Sequence, residues 1–448
     1  MPSIETDYQE TLDYLYSYVD FSLTRNLQFS QESFTLTHIT ELLSQMGDPH
    51  TRYPVIHIAG TKGKGSTGAM IASILQEAGY KTGFYSSPHL EDFCERIQIN
   101  RNNISHQRLV DIVGRMKPAV EGIKRLTTFE LTTTAGFLYF AEEHVDVAVI
   151  EVGLGGRLDS TNVVDPLISV ITSISLDHMS VLGNSVEKIA AEKGGIIKPG
   201  KPVVISHQQP SVMRVLETIA ADKNAEIFRA DTLFTPSVIS RSLKEQTFRL
   251  FPAPGTDGEV VEFDMPLLGD HQLENAATAY TCAKILQQME FFISPGAIRD
   301  GFAQVKWPGR FEVLQAEPGI IIDSAHNQDS ALKLARTIET YFPWAEVILV
   351  FGASEDKDVA GMFKELLPTV NSLILTQSIH PRSFSAEKLA GIAEPYKIPT
   401  QVVLPLEEAV VTGMQQLISG KVMIVCGSIF VAAGARQYLR EHWKLPRL

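Results

Sequence analysis

The sequence predicts an α/β protein with two lobes, each built on a mostly parallel sheet that helices flank. Short β-branched apolar runs alternate with longer helical patterns through most of the 448 residues. The chain is 44% hydrophobic and 20% charged, which is ordinary for a globular protein with sizeable cores. A Trp-Pro-Gly turn within 305–310 separates two compositionally similar series, so we expect domains at 1–305 and 306–448.

In the first lobe, apolar runs of strand length alternate with segments of helical periodicity. The strongly apolar run "VDVAVIEVG" predicts a central strand. The predicted strands are 54–60, 80–86, 145–153, 166–174 and 201–206, and the predicted helices are 66–78, 126–143 and 186–197. Residues 225–266 change to short, irregular strand-like pieces with Pro and Gly, which predicts a small β excursion within this lobe.

A long helix and a second α/β series follow. Apolar residues recur at helical spacing within 269–289, which predicts one continuous helix there. From about residue 310 the alternation begins again, with helical segments between short apolar runs. The predicted strands of this second lobe are 319–325, 345–352, 372–378, 400–405 and 421–427.

The charge and the cysteine content limit the classes of partner and compartment. A net charge of −13 argues against broad electrostatic binding to nucleic acid or to an anionic membrane. The three cysteines, Cys94, Cys282 and Cys426, are far apart and have no metal-binding spacing, as expected in a reducing cytosol. The first residues are acidic rather than apolar, and no run is long enough to span a membrane. We therefore expect a cytoplasmic protein.

The stretch "HIAGTKGKGST" (57–67) follows a predicted strand and opens a predicted helix, which is the setting of a phosphate-binding loop. Its glycines let backbone N–H groups turn toward an anion, and a helix N-terminus adds favourable polarity. Lys64 has the reach to contact β- and γ-phosphate oxygens. The usual pattern, G-x-x-x-x-G-K-[ST], has a hydroxyl where Gly65 stands. The alternative interpretation is a glycine-rich turn with a solvated lysine pair.

Glu151 ends the apolar run "VDVAVIE", where parallel sheets place ligands. A carboxylate at this position beside a phosphate loop is suited to hold Mg²⁺. The alternative is an ion pair with Arg157 at the strand end, which we regard as equally consistent with the local sequence. Asp159, after the glycines of "VGLGG", is a second polar candidate.

Three further residues of the first lobe have both an ordinary structural interpretation and a functional one. His178 follows an apolar strand and is suited to ligate a metal, or else to form a structural hydrogen bond. Ser87 follows another strand in "YSSPHL", which is also typical of an ordinary Ser-Pro turn. Lys193 stands near a helix C-terminus, where a lysine commonly complements the helix dipole.

The remaining candidates are Asn275 and three residues of the second lobe. Asp323 and His326 follow a buried strand in "IIIDSAHN" and are suited to contact ribose or substrate, or to form a cap with a surface histidine. Arg310, after a Pro-Gly pair, has the chemistry to bind phosphate or to form an interlobe salt bridge. Asn275 is suited to bond adenine or ribose, or to cap a loop.

Taken together and in order, ten segments resemble the folylpolyglutamate synthase/dihydrofolate synthase family, which is related to the Mur ligases. The segments are "GTKGKGS", "SSPHL…ER", "TTFELTT", "EVGLGGRLDSTN", "DHMSVLG", "EKGGIIKPG", "DHQLENA", "WPGRFE", "DSAHN" and "GSIF". The family has the same glycine after the loop lysine, so the resemblance accounts for Gly65. It implies an N-terminal P-loop ATPase domain with a central, mostly parallel sheet and a smaller, Rossmann-like C-terminal α/β domain.

The resemblance also implies roles for individual residues. ATP would be bound by Gly60, Thr61, Lys62, Gly63, Lys64, Gly65, Ser66, Asn275, Arg310 and Asp323. Magnesium, expected at two sites, would be bound by Ser87, Glu151, His178 and a carbamylated Lys193. Folate and glutamate would be bordered by Thr127, Thr128, Phe129, Glu130, Leu158, Asp159, Ser160, His326 and Ser428. Lys64, Lys193 and His326 would act in catalysis.

The implied activity is ATP-dependent formation of an amide between a folate carboxylate and L-glutamate, through an acyl phosphate. Lys62 stands where many bacterial members have Asn, and Ser160 where bifunctional members often have Ala. The sequence therefore leaves open whether dihydropteroate is a substrate besides reduced folates. The expected partners are these small molecules alone, bound by a monomer. The alternatives are a Mur-type ligase acting on another carboxylate and a non-catalytic P-loop binding protein.

Overall fold

The structure, a computed structural model, describes residues 4–19, 35–255 and 258–443. These residues form two compact units that interleave along the chain. The first unit takes in the described residues of Met1–Ser237, Arg249–Phe263 and Glu274–Val305, and the second those of Val238–Phe248, Asp264–Leu273 and Lys306–Leu448. The simpler division into domains 1–305 and 306–448 stays a prediction.

The first unit has an eight-stranded, mostly parallel sheet, as the alternating pattern predicts. Its strands are β1 (Val55–Ala59), β2 (Thr82–Tyr85), β3 (Ile97–Ile99), β4 (Asn102–Asn103), β5 (Val147–Glu151), β6 (Ile168–Ile171), β7 (Val203–Ile205) and β8 (Ile227–Arg229). Their order in the sheet is β4-β3-β2-β5-β1-β6-β7-β8. β2 pairs with β3, and β3 with β4, in antiparallel fashion, while the other neighbours are parallel. The central strands β1 and β5 are buried along their whole length, which explains their continuous apolar runs.

Helices pack against this sheet. They are α1 (Ile4–Tyr16), α2 (Thr37–Gln45), α3 (Lys64–Glu77), α4 (His106–Glu121), α5 (Thr128–Glu142), α6 (Met179–Leu182), α7 (Val186–Gly194), α8 (Pro210–Asp222) and α9 (Ala230–Leu233). One apolar core joins α1, α2, α4 and α5 to the sheet. A second core joins α7 and α8 to it.

A three-stranded sheet and two helices follow, at the place of the predicted β excursion. The strands are β9 (Phe234–Arg241), β10 (Gln246–Pro252) and β11 (Val261–Met265), in the order β11-β10-β9, and the helices are α10 (Asp270–Gln288) and α11 (Pro295–Ala303). The excursion does not lie wholly in the first unit, because parts of these strands cluster with the second. Within the second unit, the Tyr341 hydroxyl donates to Gln246 Oε1 at 3.3 Å.

The second unit has a six-stranded sheet in the order β12-β13-β17-β14-β15-β16. Its strands are β12 (Glu312–Gln315), β13 (Gly319–Ile322), β14 (Glu346–Phe351), β15 (Ser372–Leu375), β16 (Thr400–Val402) and β17 (Lys421–Cys426). Its helices are α12 (Gln328–Tyr341), α13 (Val359–Leu366), α14 (Ala386–Ala393), α15 (Leu406–Gln416) and α16 (Ile429–His442). The sheet is parallel except for the edge strand β12, which the sequence pattern does not predict.

Two expectations about the chain as a whole can be compared with the described residues. Within these ranges, no helix combines the length and the apolar character that crossing a membrane requires. The three cysteines are buried and are not joined by disulfides.

Candidate active site

The candidate site of the first unit lies at the carboxyl ends of three adjacent parallel strands. β1 pairs with β5 on one side and with β6 on the other, so the segments that follow these strands meet at one edge of the sheet. This edge is where open α/β sheets bind ligands. It brings together the loop 60–66, Glu151 and the segment 172–178, three of the regions that the sequence singled out.

The loop 60–66 needs glycine at two positions. Gly60 has φ 155° and Gly63 has φ 87°, values that other residues rarely adopt. A Cβ on Gly60 would lie 1.9 Å from Thr172 Oγ1, and a Cβ on Gly63 would lie 2.3 Å from Asn275 Oδ1. Asn275, on α10, therefore lies directly against the loop, beside the other predicted ATP-binding residues.

The start of the loop is held by the segment that follows β6. The backbone N–H groups of Thr61 and Lys62 donate to the carbonyl oxygen of Ser173, at 2.8 and 3.1 Å. The Thr61 hydroxyl donates to the Ser175 carbonyl at 3.1 Å. α3 then begins at Lys64, with Gly63 as its N-cap, so Gly65 and Ser66 lie in its first turn. These first N–H groups have no partner within the helix, which suits them to bind an anion.

Both loop lysines are paired and mostly buried, so the alternative of a solvated lysine pair is wrong. Lys62 Nζ lies 3.1 Å from Asp177 Oδ2, and Lys64 Nζ lies 3.8 Å from Glu151 Oε1. Their side chains are 14% and 16% exposed. Lys64 is therefore held at the carboxyl edge of the sheet, within the loop and at the start of α3.

Glu151 is buried at the end of β5 and faces the loop. Its carboxylate has Lys64 on one side, and its Oε2 accepts the backbone N–H of Ser87 at 3.4 Å on the other. Arg157 instead forms its ion pair with Glu192, at 2.9 Å between Nη2 and Oε1. The structure therefore brings Ser87, Glu151 and Lys64 together, as the functional interpretation requires.

Lys193 lies in the last turn of α7, where the ordinary interpretation expects it, but its side chain is directed inward and not to solvent. Its side chain is buried, and Nζ donates to the carbonyl oxygen of Gly60 at 2.8 Å. Burial, followed by the nearby charge of Lys64, lowers the pKa of Lys193 to about 7. A substantial share of this lysine is therefore a neutral amine near neutral pH.

His178 lies at the rim of the same edge. It is the N-cap of the short helix α6 with φ 47°, and its side chain is 45% exposed. Its Nε2 lies 3.8 Å from Asp177, the residue that pairs with Lys62. His178 is thus joined to the loop through Asp177.

The first turn of α5 contains four of the residues predicted to border folate. Thr127 and Glu130 form a capping box, in which the Thr127 N–H donates to Glu130 Oε2 at 2.8 Å. The Thr128 hydroxyl donates to the Leu15 carbonyl at 2.8 Å. Burial raises the pKa of Glu130, and its hydrogen bonds to Thr127 oppose that rise. These three side chains therefore fix the turn itself.

Phe129 contacts the loop that follows β5. A Cβ on Gly153 would lie 2.5 Å from Phe129 Cζ, so only glycine fits at this position. Phe129 therefore contacts the loop that also bears the predicted folate residues Leu158, Asp159 and Ser160.

The loop after β5 holds Leu158, Asp159 and Ser160. Asp159 is buried, and its carboxylate accepts the Leu154 N–H at 2.8 Å and the Thr161 N–H at 3.0 Å. It thereby caps the short turn Ser160–Val163. Leu158 borders an open groove of about 690 Å³, whose other lining residues are Thr35, Leu36, Thr37, Thr40, Glu41, Ser44 and Gln45.

In the second unit, the predicted residues gather at the carboxyl ends of β13 and β17. Asp323 is partly buried, and its carboxylate accepts the N–H groups of Phe311 and Ala325, both at 2.7 Å. Burial raises the pKa of Asp323, and the charge of Arg310 opposes the rise. Asp323 therefore shapes the loop, as the capping interpretation expects, with Arg310 close enough to influence its charge.

His326 and Ser428 lie on the two loops of this edge. The Gly427 N–H donates to the Ala325 carbonyl at 3.0 Å and joins these loops. His326 Nδ1 donates to the Ser324 carbonyl at 2.8 Å, which leaves Nε2 as the acceptor in the neutral ring. Ser428 is the buried N-cap of α16, with its hydroxyl accepting the Phe430 N–H at 3.1 Å.

The sequence analysis assigned no role to His57 or to Thr161, which contact each other beside this site. His57 is buried in the middle of β1, and its ring contacts the Thr161 hydroxyl at 2.9 Å. The one signal in the sequence is a histidine inside an otherwise apolar strand, which by itself does not identify a partner 104 residues away.

Comparisons with known proteins cover nearly the whole chain. Residues 58–283 match the Mur ligase middle domain, and residues 309–429 match the Mur ligase glutamate ligase domain. The chain is 38% identical to a dihydrofolate synthase/folylpolyglutamate synthase of Bacillus subtilis, over 80% of this chain and 84% of that protein. It is 32% identical to a folylpolyglutamate synthase of Lacticaseibacillus casei, over 97% of this chain and 99% of that protein.

The likeness extends to solved structures. A structure of Mycobacterium tuberculosis folylpolyglutamate synthase complexed with ADP is similar with a TM-score of 0.88 and 32% identity, over 97% of this chain and 98% of that chain.

Proposed function

The chain belongs to the folylpolyglutamate synthase/dihydrofolate synthase family of Mur ligases, and we propose that it joins L-glutamate to a carboxylate of reduced folates at the expense of ATP. The observation that best supports this activity is the loop 60–66 at the carboxyl edge of the sheet, with Lys64 and Glu151 paired beside it. Both family domains are present in order, the Mur ligase middle domain and then the glutamate ligase domain.

The reaction needs ATP because a carboxylate is a poor acylating agent. The folate carboxylate takes the γ-phosphoryl group and becomes an acyl phosphate, with ADP as the leaving group. The amine of glutamate then attacks the acyl carbon, phosphate leaves, and the amide forms with loss of a proton. Lys64 and the first N–H groups of α3 offset the negative charge that develops on the transferring phosphoryl group.

The nucleotide is assigned, in this proposal, to the ATP-binding candidates of the sequence. Residues 60–66 bind the phosphates, and Asn275, which lies against Gly63, bonds the base or ribose. Arg310 and Asp323 are assigned to ATP as well, and the Asp323 carboxylate holds the backbone of its own loop in place.

The residues beside the loop have the chemistry to hold Mg²⁺. Glu151 and Ser87 both have side-chain oxygens, and the Ser87 N–H donates to Glu151 Oε2, which keeps the two residues adjacent. Magnesium prefers oxygen ligands. We assign them as magnesium ligands together with His178 and a carbamylated Lys193, over two sites. When bound, magnesium neutralises phosphate charge and polarises the transferring group. Lys64 also lies close to the Glu151 carboxylate and offsets part of its charge.

Carbamylation of Lys193 is supported by the surroundings of its amine. CO₂ reacts with a neutral amine, and burial with the nearby Lys64 charge favours that neutral form. The product, a carbamate, replaces a buried cation with an anion near two other lysines, which relieves repulsion. It also supplies an oxygen ligand at the phosphate loop, where Nζ already lies 2.8 Å from the Gly60 carbonyl.

The acceptor substrates are assigned to the remaining candidates. Residues 127–130 and 158–160 border the pterin and benzoate part of the folate, with Phe129 as the apolar wall. His326 and Ser428 bind the incoming glutamate, and His326 Nε2 is the acceptor suited to take the proton from its amine. Dihydropteroate is proposed as a second substrate, which makes the enzyme a dihydrofolate synthase as well.

The remaining features of the proposal concern the form of the enzyme. We infer that it acts as a monomer in the cytoplasm on small molecules alone. The buried, unbridged state of its three cysteines agrees with a reducing compartment.

One assay tests the activity and separates its alternatives. Release of ADP is followed with ATP, Mg²⁺ and glutamate, using tetrahydrofolate in one arm and dihydropteroate in another. Glutamate-dependent release with tetrahydrofolate is expected, and release with dihydropteroate establishes the second activity. No release with any folate would contradict the proposal and favour a Mur-type ligase for another carboxylate or a non-catalytic nucleotide-binding protein.

A further inference from the structure

A buried hydrogen-bonded chain runs from strand β1 to the loop that follows β5. His57 is fully buried, and its Nε2 lies 2.9 Å from the hydroxyl oxygen of Thr161. That hydroxyl lies 2.5 Å from Oδ1 of Asp159. His57 stands three residues before Gly60, so this chain of side chains connects the strand of the phosphate loop to the loop at Asp159.

The acceptor at the end of the chain fixes the direction of its hydrogen bonds. The N–H groups of Leu154 and Thr161 both donate to the Asp159 carboxylate, which favours its ionised form although burial raises the pKa of Asp159. A carboxylate only accepts, so the Thr161 hydroxyl donates to it and accepts from His57. His57 is then a neutral ring with its proton on Nε2.

The second ring nitrogen agrees with this tautomer. In the ranges that the structure describes, the buried Nδ1 of His57 has no hydrogen-bond partner. An unpaired buried N–H is rarer than an acceptor with an unused lone pair. A proton on Nε2 leaves only a lone pair at Nδ1. Burial also lowers the pKa of His57 to about 3, so the ring stays neutral at physiological pH.

The loop that Asp159 holds, residues 152–160, contacts groups on two sides of the candidate active site. A Cβ on Gly153 would lie 2.5 Å from the Phe129 ring, and a Cβ on Gly156 would lie 3.0 Å from the Cα of Lys193. The loop therefore packs between the proposed folate wall and the helix of the lysine proposed to be carbamylated. The position of this loop therefore bears on both groups.

We propose that His57 is a positioning residue for the ligase reaction, which acts through Thr161 and Asp159 without touching a substrate. It fixes the position of loop 152–160, and of Phe129 beside that loop, relative to the strand that precedes the phosphate loop. The inference rests on the proposed function. It assigns His57 to the geometry of the folate acceptor rather than to nucleotide affinity, because the start of the phosphate loop is held separately by Ser173.

Four variants test the chain of hydrogen bonds. Thr161→Val removes the hydroxyl at nearly constant volume, and Thr161→Ser retains it. His57→Phe removes the N–H donor, and His57→Gln retains a donor on a side chain of similar reach. We expect Thr161→Val and His57→Phe each to raise the KM for tetrahydrofolate roughly tenfold, with the KM for ATP within about twofold of wild type. Thr161→Ser and His57→Gln should recover most of the loss.

The double variant His57→Phe/Thr161→Val distinguishes a connected chain from two independent packing defects. If the residues act as a unit, the double variant is no worse than the poorer single variant. Additive losses, or equal changes in the KM for ATP and for folate, would overturn the proposal. A wild-type enzyme without glutamate-dependent ADP release would instead contradict the proposed function and leave the hydrogen-bonded chain to be judged by its tautomer.

The tautomer is measured on the wild-type protein and does not depend on any variant folding. In a ¹⁵N-histidine-labelled sample, with His57 assigned from the signal missing in His57→Gln, the ring should show a proton on Nε2 and a bare Nδ1 from pH 6 to pH 8. An Nδ1–H tautomer or a charged ring in that range would refute the inferred direction of the hydrogen bonds.

Discussion

The side-chain nitrogen of Lys193 lies 2.8 Å from the carbonyl oxygen of Gly60, so the last turn of α7 is tied to the first residue of the phosphate loop. Neither residue is close to the other in sequence, and the contact is buried. A change in the charge of this amine therefore alters its hydrogen bond to the loop that we propose to bind ATP.

The first prediction concerns this amine. In the native protein, Lys193 should have the added mass of one CO₂, and removal of CO₂ should lower activity reversibly until bicarbonate is restored. Native mass spectrometry and ADP release measure the two effects. Lys198 is the matched control and should stay unmodified. Burial lowers its pKa too, and its amine also donates to a backbone carbonyl. Modification that survives in Lys193→Ala, or activity indifferent to CO₂, would exclude carbamylation of Lys193.

The second prediction concerns the pair formed by Lys64 and Glu151. Lys64→Ala and Glu151→Ala should each lower kcat by at least about 100-fold, the scale on which loss of one group that stabilises developing charge is felt. Circular dichroism should show that the fold is retained. Lys201→Ala, which removes a surface lysine near Asp165, is the control and should keep full activity. Wild-type ADP release by either folded variant of the pair would rule out the assignment.

The third prediction separates the effect of a steric clash at Gly63 from the effect of backbone strain at positive φ. Gly63→Ala places a methyl group 2.3 Å from Asn275 Oδ1 at φ 87°, so nucleotide binding should be lost. Gly79→Ala has a similar φ of 93° with no atom within 4 Å, so it has the strain without the clash. Both should destabilise the protein by about 1 kcal/mol from positive φ alone.

Calorimetric titration with ADP and thermal unfolding check this pair of variants. Only Gly63→Ala should lose affinity for ADP. Equal affinities in the two variants would mean that the close approach of Asn275 to the loop has no part in nucleotide binding.

The fourth prediction concerns pH and the N-terminal helix. His106 lies between two carboxylates, 2.8 Å from Asp92 and 3.3 Å from Glu5. Burial lowers the pKa of His106, but the hydrogen bond and charge of Asp92 outweigh it, so the folded-state pKa is raised. The folded protein thus binds this proton more tightly than the unfolded chain. Its stabilisation is complete below the unfolded value of about 6.5 and is lost as pH rises through the folded-state value.

Thermal unfolding of wild type and His106→Asn should reveal that dependence. The difference in melting temperature should be larger at pH 6 than at pH 8.5. A difference that stays constant, or grows with pH, would show that the charge of His106 does not stabilise the contact between α1 and α4.

Much of the site was predictable because parallel strands end at one edge of a sheet. The apolar runs before Gly60 and Glu151 predicted two such strands, and their pairing side by side brings the loop and the carboxylate together. The local sequence did not identify their partners, which only the family resemblance predicted. Lys193 had an ordinary local interpretation, and only tertiary packing turns its side chain inward to Gly60.

The missed strands have a physical reason as well. β3, β4 and β12 are three, two and four residues long, and they lie at or near sheet edges. Such strands need no continuous apolar run, because one side of each is not enclosed between two parallel neighbours. His57 was missed for the opposite reason, since a polar residue in a buried strand shows its partner only in three dimensions.

The backbone N–H groups of Thr61 and Lys62 both donate to the Ser173 carbonyl, so these two amides of the phosphate loop are not available to bind phosphate. Those amides are already satisfied by the protein, so they should exchange slowly with deuterium whether or not a nucleotide is present. The amides from Gly63 onward, in the first turn of α3, should gain protection only when phosphate arrives. The loop thus has a first part whose amides are bonded to the protein and a second part whose amides bind phosphate. Hydrogen exchange should place the boundary between the two parts at Gly63.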